Sequence, residues 1–264
     1  MEDNLDASFL ICTNICDNNT IIAIDSCLNQ VTSFTFEVVI VVNGEKTSEI
    51  CTKLSILFGE NIKIVSSTLR GLPANLNYGI NSCSGEYILR FDSDDVCLQE
   101  RTERQIGFMK AHLDVGLSYG DAKVIDEKGK IIGEYISARS DSAWFLVFSN
   151  YVMHPSVCFK KEIVQNVLGY RKKFASEDYD LWLRLYFIKK IKFSRIKKEL
   201  IQYRSYSDNG YRKNPKAYMT AFFFKIEIMF LSRSIVLIFG AFFSLFLSLF
   251  YYLKSMPTIK VRKS

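Results

Sequence analysis

Apolar residues along the first hundred positions fall in short blocks that switch between two periods. Phe9-Leu10-Ile11-Cys12, entered from Ser8, is a continuous apolar run closed by polar residues, which suits a strand buried on both faces of a sheet. From Asn19 to Val31 the positions Ile21, Ile22, Ala23, Ile24, Cys27 and Leu28 sit at helical spacing. A second strand, Phe36 to Val42, ends at the turn signal Asn43-Gly44. A helix from Thr47 to Phe58, a strand from Ile62 to Val65 and a helix from Pro73 to Ser82 continue the alternation. The next strand, Tyr87 to Phe91, runs into Asp92-Ser93-Asp94-Asp95. Strand alternating with helix predicts an α/β fold built on a mostly parallel sheet flanked by helices. Further on, the pattern predicts a helix from Leu98 to His112 and a strand from Val115 to Gly120. A hairpin turns at Asp126-Glu127-Lys128-Gly129 between Lys123 and Tyr135, and an amphipathic helix covers Asp180 to Ile188.

The far end reads differently. Ser234 to Leu253 has no charged residue, and at helical rise it spans about 30 Å, the thickness of a bilayer core. Arg233 and Lys254 bracket it, Lys260, Arg262 and Lys263 follow, and Tyr251 and Tyr252 stand where interfacial aromatics are favoured. A spanning helix, an in-plane helix and a buried core helix all fit this pattern. Phe222-Phe223-Phe224 with Lys225, Ile226, Ile228, Met229, Phe230 and Leu231 reads either as a helix on lipid or as one packed on the preceding domain. A boundary near Tyr211 to Pro215 divides a domain of residues 1–210 from membrane-associated helices in 211–264.

Composition narrows the classes. With 48% apolar and 23% charged residues the chain folds rather than staying disordered. The net charge of +6 would suit nucleic acid, anionic lipid or a phosphorylated substrate. The excess gathers in Lys189 to Lys198 and the tail, without a nucleic-acid-binding motif, so lipid explains it and no nucleic-acid partner is expected. Seven cysteines stand singly, lacking the paired spacing of zinc sites or secreted frameworks, and are expected as reduced thiols. The acidic start, Met1 to Asp6, lacks the basic and apolar regions of a secretory signal, which predicts a cytoplasmic domain.

Three carboxylates within Asp92 to Asp95 repel one another, so they need either solvent or a cation. On an extended chain Asp92 and Asp94 project to one side, and such oxygen ligands hold Mg²⁺ or Mn²⁺ beside substrate phosphates. An acidic surface turn would look the same in isolation. Its surroundings distinguish it: Gly71-Leu72-Pro73-Ala74-Asn75-Leu76-Asn77-Tyr78-Gly79-Ile80 and then Ser84-Gly85-Glu86-Tyr87-Ile88-Leu89-Arg90-Phe91-Asp92-Ser93-Asp94-Asp95 resembles the central signature of the family-two glycosyltransferases. Ser8 to Thr13, Glu37 to Gly44, His154-Pro155-Ser156-Val157 and Glu177-Asp178-Tyr179-Asp180-Leu181-Trp182 extend the resemblance over residues 8–207.

That resemblance implies the GT-A fold and a metal-dependent inverting sugar transfer. Thr13 and Asn43 would cradle the donor base, with Asn77 also on the donor side. Asp92 and Asp94 would hold ribose, diphosphate and Mn²⁺ or Mg²⁺, with Asp95 behind them. Asp178 matches the catalytic base, Glu177 would set its charge, and Trp182 would support the acceptor wall. Arg204 would stabilise the departing diphosphate, while His154 lies beside the acceptor without a catalytic part. The sequence departs from the family pattern at Val42, Leu76 and Tyr206, where aspartate, arginine and histidine are frequent. By analogy the donor is a UDP-sugar, and the acceptor a saccharide on a polyprenyl diphosphate at the cytoplasmic face of a bacterial inner membrane, in O-antigen or capsule assembly. A membrane-tethered scaffold that binds nucleotide-sugar without turnover is the non-enzymatic alternative. A sugar-phosphate nucleotidyltransferase would need a glycine-rich loop, and Ser8 to Asn18 has no glycine.

Overall fold

The computed structural model describes residues 5–137, 143–171, 176–206 and 215–255. Its first half follows the predicted alternation: β1 (Ala7–Thr13), α1 (Asn18–Leu28), β2 (Phe36–Asn43), α2 (Thr47–Phe58), β3 (Lys63–Ser67), α3 (Leu72–Ser82) and β4 (Tyr87–Phe91). Strands β3, β2, β1 and β4 lie side by side in that order, all parallel. Their side chains alternate between two cores. Phe9, Ile11, Val38 and Ile40 face α1, α2 and the later helix α4 (Arg101–Ala111), whereas Leu10, Val39 and Val41 face α3. Burial on both faces explains why these strands read as unbroken apolar runs.

Local signals set the joints. Asp17 caps α1 through Thr20 N at 2.9 Å. A methyl on Gly79 would sit 2.3 Å from a Leu10 methyl, and one on Gly85 2.4 Å from the Ala7 carbonyl carbon, so α3 and the approach to β4 close against β1 only because glycine stands there.

The second half is mixed. It comprises β5 (Val96–Cys97), α4, β6 (Val115–Ile125), β7 (Ile131–Tyr135), β8 (Cys158–Lys160), α5 (Lys161–Gln165), α6 (Glu177–Leu183) and β9 (Lys192–Arg204). Strand β8 pairs antiparallel with both β4 and β6, β7 runs antiparallel to β6, and β9 is parallel to β6 but antiparallel to β5. In the first half β1, β2 and β3 are each followed by a helix and β1 to β4 are parallel, whereas the five-residue turn between β6 and β7 is too short for a parallel crossover. Helix α6 continues through a π turn at Arg184–Ile188, together covering the predicted helix to Ile188. All seven cysteines are free thiols.

Two long helices end the described chain, α7 (Pro215–Ser232) and α8 (Val236–Ser255). Among the described residues no helix is long and apolar enough to cross a membrane, so the spanning expectation for Ser234 to Leu253 is not met. Arg233, in the left-handed region at φ 55°, reverses the chain. The two helices pack antiparallel, with Tyr218 stacked on Tyr251 and Ser248 Oγ donating to Pro215 O at 2.9 Å. Small residues permit this: Gly240, Ala241, Ser244 and Ser248 line the inner side of α8, and Gly240 abuts Val147. Phe224 and Ile228 join the core shared with α3 and α6. Lys225 is wholly buried between the helices, donating to Gly240 O at 3.2 Å and Ser244 Oγ at 2.8 Å, with its ammonium 5.0 Å from the Tyr179 ring centre. The outer side exposes Phe223, Phe230, Phe239, Phe242, Phe246 and Leu249. The boundary expected near Tyr211 and the tail cations Lys260, Arg262 and Lys263 fall outside the described residues.

Candidate active site

Parallel strands present their carboxyl ends on one edge, where ligands bind in open α/β sheets. Thr13 ends β1, and its hydroxyl closes a local turn by donating to Ile15 O at 2.7 Å and accepting from Ile15 N at 3.2 Å. Asn43 ends β2, half-buried and opposite Ser67 of β3. Asp92 follows β4.

Beneath Asp92 lies a residue the sequence analysis did not single out. Arg90 is 3% exposed in an otherwise apolar strand, and its Nη2 pairs with Asp92 Oδ1, whose side chain is 34% exposed. Among the described residues its Nε and Nη1 are buried without a hydrogen-bond partner. The signal was present in the sequence: an arginine inside Tyr-Ile-Leu-Arg-Phe, two positions before Asp92, must share the face of that aspartate.

The other two carboxylates differ. Asp94 is pushed up by burial and then by Asp92, against a hydrogen bond from the Tyr206 phenol and the charge of Arg204. Asp95 is buried and accepts Arg204 N at 2.7 Å, its second oxygen having no partner. Burial, then Asp92, raises it well above the carboxylate range. Arg204 is buried too. Its guanidinium donates to Asp94 O at 2.8 Å and to Asp126 O and Glu127 O at 3.0 Å each, binding the β6–β7 turn to the acidic turn. Arg204 thus lies beside the acidic turn, with Nε and Nη1 occupied by main-chain carbonyls.

Helix α6 brings the second acidic pair. Its first turn holds Glu177 and Asp178, with no side-chain cap from Ser176. Asp178 is half-buried and accepts Tyr179 N at Oδ1 and Asn150 Nδ2 at Oδ2, each at 2.7 Å. Burial raises it, while Asn150, the Tyr179 amide and the charge of Arg90 pull it back part of the way. Glu177 is raised by burial and by Asp178, with Asp92 adding to the shift and Arg90 opposing it. The pair on α6 and the pair at β4 therefore feel each other and share one cation, Arg90.

Asn77, expected on the donor side, binds the chain instead: its Nδ2 donates to Tyr170 O at 2.8 Å and its Oδ1 accepts Tyr170 N at 2.7 Å. Trp182 is fully buried against His154 and Phe193, placing it beneath any acceptor wall rather than on its surface. His154 bonds the Tyr170 hydroxyl at 2.9 Å, and burial followed by the charge of Arg90 holds it well below the usual histidine range, hence neutral.

Among the described residues no three His, Cys, Asp or Glu side chains gather as a metal cluster. Asp92 and Asp94 nevertheless suit a hard divalent cation, which takes one or two carboxylates and fills its remaining positions with water and phosphate oxygens. Asp94 is raised first by burial and then by the neighbouring charge of Asp92.

The family model "Glycosyl transferase family 2" matches residues 8–146. The O-antigen biosynthesis glycosyltransferase WbnJ of Escherichia coli is 36% identical over 167 residues, covering 62% of this chain and 65% of that protein. The UDP-Gal:alpha-D-GlcNAc-diphosphoundecaprenol beta-1,3-galactosyltransferase of the same species is 31% identical over 153 residues, covering 56% and 55%. The chain thus matches less than two thirds of the length of either relative. Among solved structures, S. aureus TarS 1-349 in complex with UDP-GlcNAc aligns with TM-score 0.63 at 17% identity, covering 85% of this chain and 67% of that one. Mannosyltransferase PcManGT from Pyrobaculum calidifontis, in complex with GDP-Man and Mn2+, aligns with TM-score 0.65 at 12% identity, covering 96% and 75%. These two likenesses concern the fold, which is that of a mixed, curled α/β sheet, and the match of the family model over more than half its length makes this chain a member of glycosyl transferase family 2.

Proposed function

We propose that the protein is an inverting glycosyltransferase that moves a hexose-type residue from a nucleoside diphosphate, a UDP-sugar, to a saccharide carried on a polyprenyl diphosphate in O-antigen or capsule assembly. The observation that carries this reading is the shared cation: Arg90 pairs with Asp92 and lies within electrostatic reach of Glu177 and Asp178. Two acidic pairs around one site match a donor side and an acceptor side.

In this reading Thr13 and Asn43 border the base, and Asp92 and Asp94 face ribose and diphosphate. A bound Mn²⁺ or Mg²⁺, held by Asp94 with Asp92, would neutralise charge on the diphosphate. Asp178 takes the proton of the acceptor hydroxyl. The hydroxyl oxygen bonds to the anomeric carbon from the face opposite the nucleotide, the bond from that carbon to the diphosphate oxygen breaks, and its electron pair leaves with the nucleoside diphosphate. A raised Asp178 is a stronger base than a solvated aspartate.

The relative named for a diphosphoundecaprenol-linked substrate supports a lipid-linked acceptor. So does the exposed Phe and Leu side of α7 and α8, which suits a helical hairpin lying in the surface of the inner membrane at its cytoplasmic face. Incubating the full chain with Mn²⁺, a panel of nucleotide-sugars and a synthetic polyprenyl-diphosphate sugar tests the proposal through released nucleoside diphosphate. Turnover confined to soluble protein acceptors would refute the lipid acceptor, and full turnover in Asp178→Asn would refute the base.

A further inference from the structure

Only one of the two hydrogen bonds on Asp178 comes from its own helix. The other comes from Asn150, 28 residues earlier, in the segment that follows the single turn Ala143–Val147. Its Nδ2 lies 2.7 Å from Asp178 Oδ2, matching the 2.7 Å from Tyr179 N to Oδ1. Asn150 Oδ1, at the other end of the same amide, is buried without a partner among the described residues. A buried amide that leaves its oxygen unmatched is held in place by what its nitrogen does. Here the nitrogen reaches a carboxylate, and the reversed amide would set two oxygens against each other.

We propose that Asn150 is a positioning residue for sugar transfer: its amide N–H holds the Asp178 carboxylate in place as the acceptor hydroxyl arrives. The inference rests on Asp178 acting as the base. With one donor on each oxygen the carboxylate plane cannot turn, and each oxygen keeps a lone pair for the incoming proton. Among the described residues the charged or titratable groups near Asp178 are Glu177 and Tyr179 on α6, Arg90 on β4 and Tyr170 after α5. Arg90 is the cation of that set, and it is already paired with Asp92. The Asn150 amide therefore joins the Tyr179 N–H as a neutral group that offsets burial at Asp178 without drawing on the donor side. It is also the strongest of the influences that lower that carboxyl.

The test measures kcat and donor KM from pH 5 to 9 for the full chain and for Asn150→Ala and Asn150→Asp, following nucleoside diphosphate release with the donor identified by the screen above. Losing the N–H donor raises Asp178, so the acidic limb of kcat moves to higher pH, by about one unit in Asn150→Ala and further in Asn150→Asp, where a second carboxyl faces the first. At neutral pH kcat falls about tenfold or more, while donor KM stays within about twofold. An unmoved acidic limb in both variants, or a loss confined to KM, overturns the proposal. Asn150→Asp is close to isosteric, so it carries the test if Asn150→Ala does not fold. Full turnover in Asp178→Asn would bring down the base itself, whereas an inactive Asp178→Asn beside an unmoved limb brings down only the role of Asn150.

Discussion

Asn77 grips Tyr170 by both ends of one amide, 93 residues apart in sequence, with bonds of 2.8 and 2.7 Å. The join ties α3 to the segment just past α5, and the same tyrosine carries its hydroxyl to His154. Gly169 beside it is in the left-handed region, and a methyl there would strike Asn77 Oδ1 at 2.1 Å.

Asn77→Ala should accordingly behave as a stability variant. Leaving the Tyr170 amide unpaired is worth about 1–3 kcal/mol, read as a lower urea midpoint. Donor KM in the folded protein should change little. A large rise in KM with an unchanged midpoint would instead make Asn77 a donor ligand.

Arg90→Met separates stability from activity in the opposite sense. The substitution removes an ion pair but also two buried N–H groups that have no partner. Those effects oppose, so the urea midpoint should move by less than about 1 kcal/mol equivalent. Activity should not be spared: without the shared cation, kcat/KM for transfer is expected to fall at least about tenfold, a loss of roughly 1.4 kcal/mol in transition-state binding. Equal losses of stability and activity would reduce Arg90 to a structural ion.

Lys225 predicts how stability changes with pH. Burial brings its ammonium from 10.5 down to about 7 in the folded chain. Between those two values the unfolded chain holds a proton that the folded one lacks, so stability rises with pH there, by up to about 1.4 kcal/mol per unit. Contacts with Gly240 O, Ser244 and the Tyr179 ring favour the charged form and shrink that slope. Lys225→Met should raise Tm near pH 7 and flatten the difference between Tm at pH 7 and pH 9. An unchanged difference would show that the ammonium stays charged in its niche.

Chelation with EDTA should abolish donor turnover, and Mn²⁺ should restore it. Asp94→Ala should lower kcat by about 100-fold or more with folding intact, because it removes the carboxylate proposed to hold the metal beside the diphosphate. Undiminished turnover in EDTA would remove the metal from the proposal.

Much of this was legible from one dimension. The strands β1, β2 and β4 are buried on both sides, so their apolar runs and the helices between them showed a parallel sheet, and the acidic turn fell where parallel strands end. The long strand β9 was less visible, because Lys192 to Arg204 alternates charge with Phe193, Ile196, Leu200 and Ile201 and pairs with β6 through register shifts. Its cations had registered as a charge excess. The site itself divided along the same line. Asp92 and Asp178, proposed for the chemistry, stand in motifs that the chain order displays, whereas Asn150 and Arg90 meet their neighbours only through folding, 28 residues from Asp178 in the first case. The helical hairpin was ambiguous because an apolar stretch with Gly240, Ser244 and Ser248 on one side suits lipid and protein packing alike.

Among the described residues the Arg204 guanidinium donates to three carbonyl oxygens, and a carbonyl is the same whatever side chain its residue bears. Glu127, exposed at the hairpin tip, can be exchanged without loosening the guanidinium, and the acidic turn keeps its shape while the rim above it is rewritten. Such an anchor makes the floor of the acidic turn independent of the side chains around its rim.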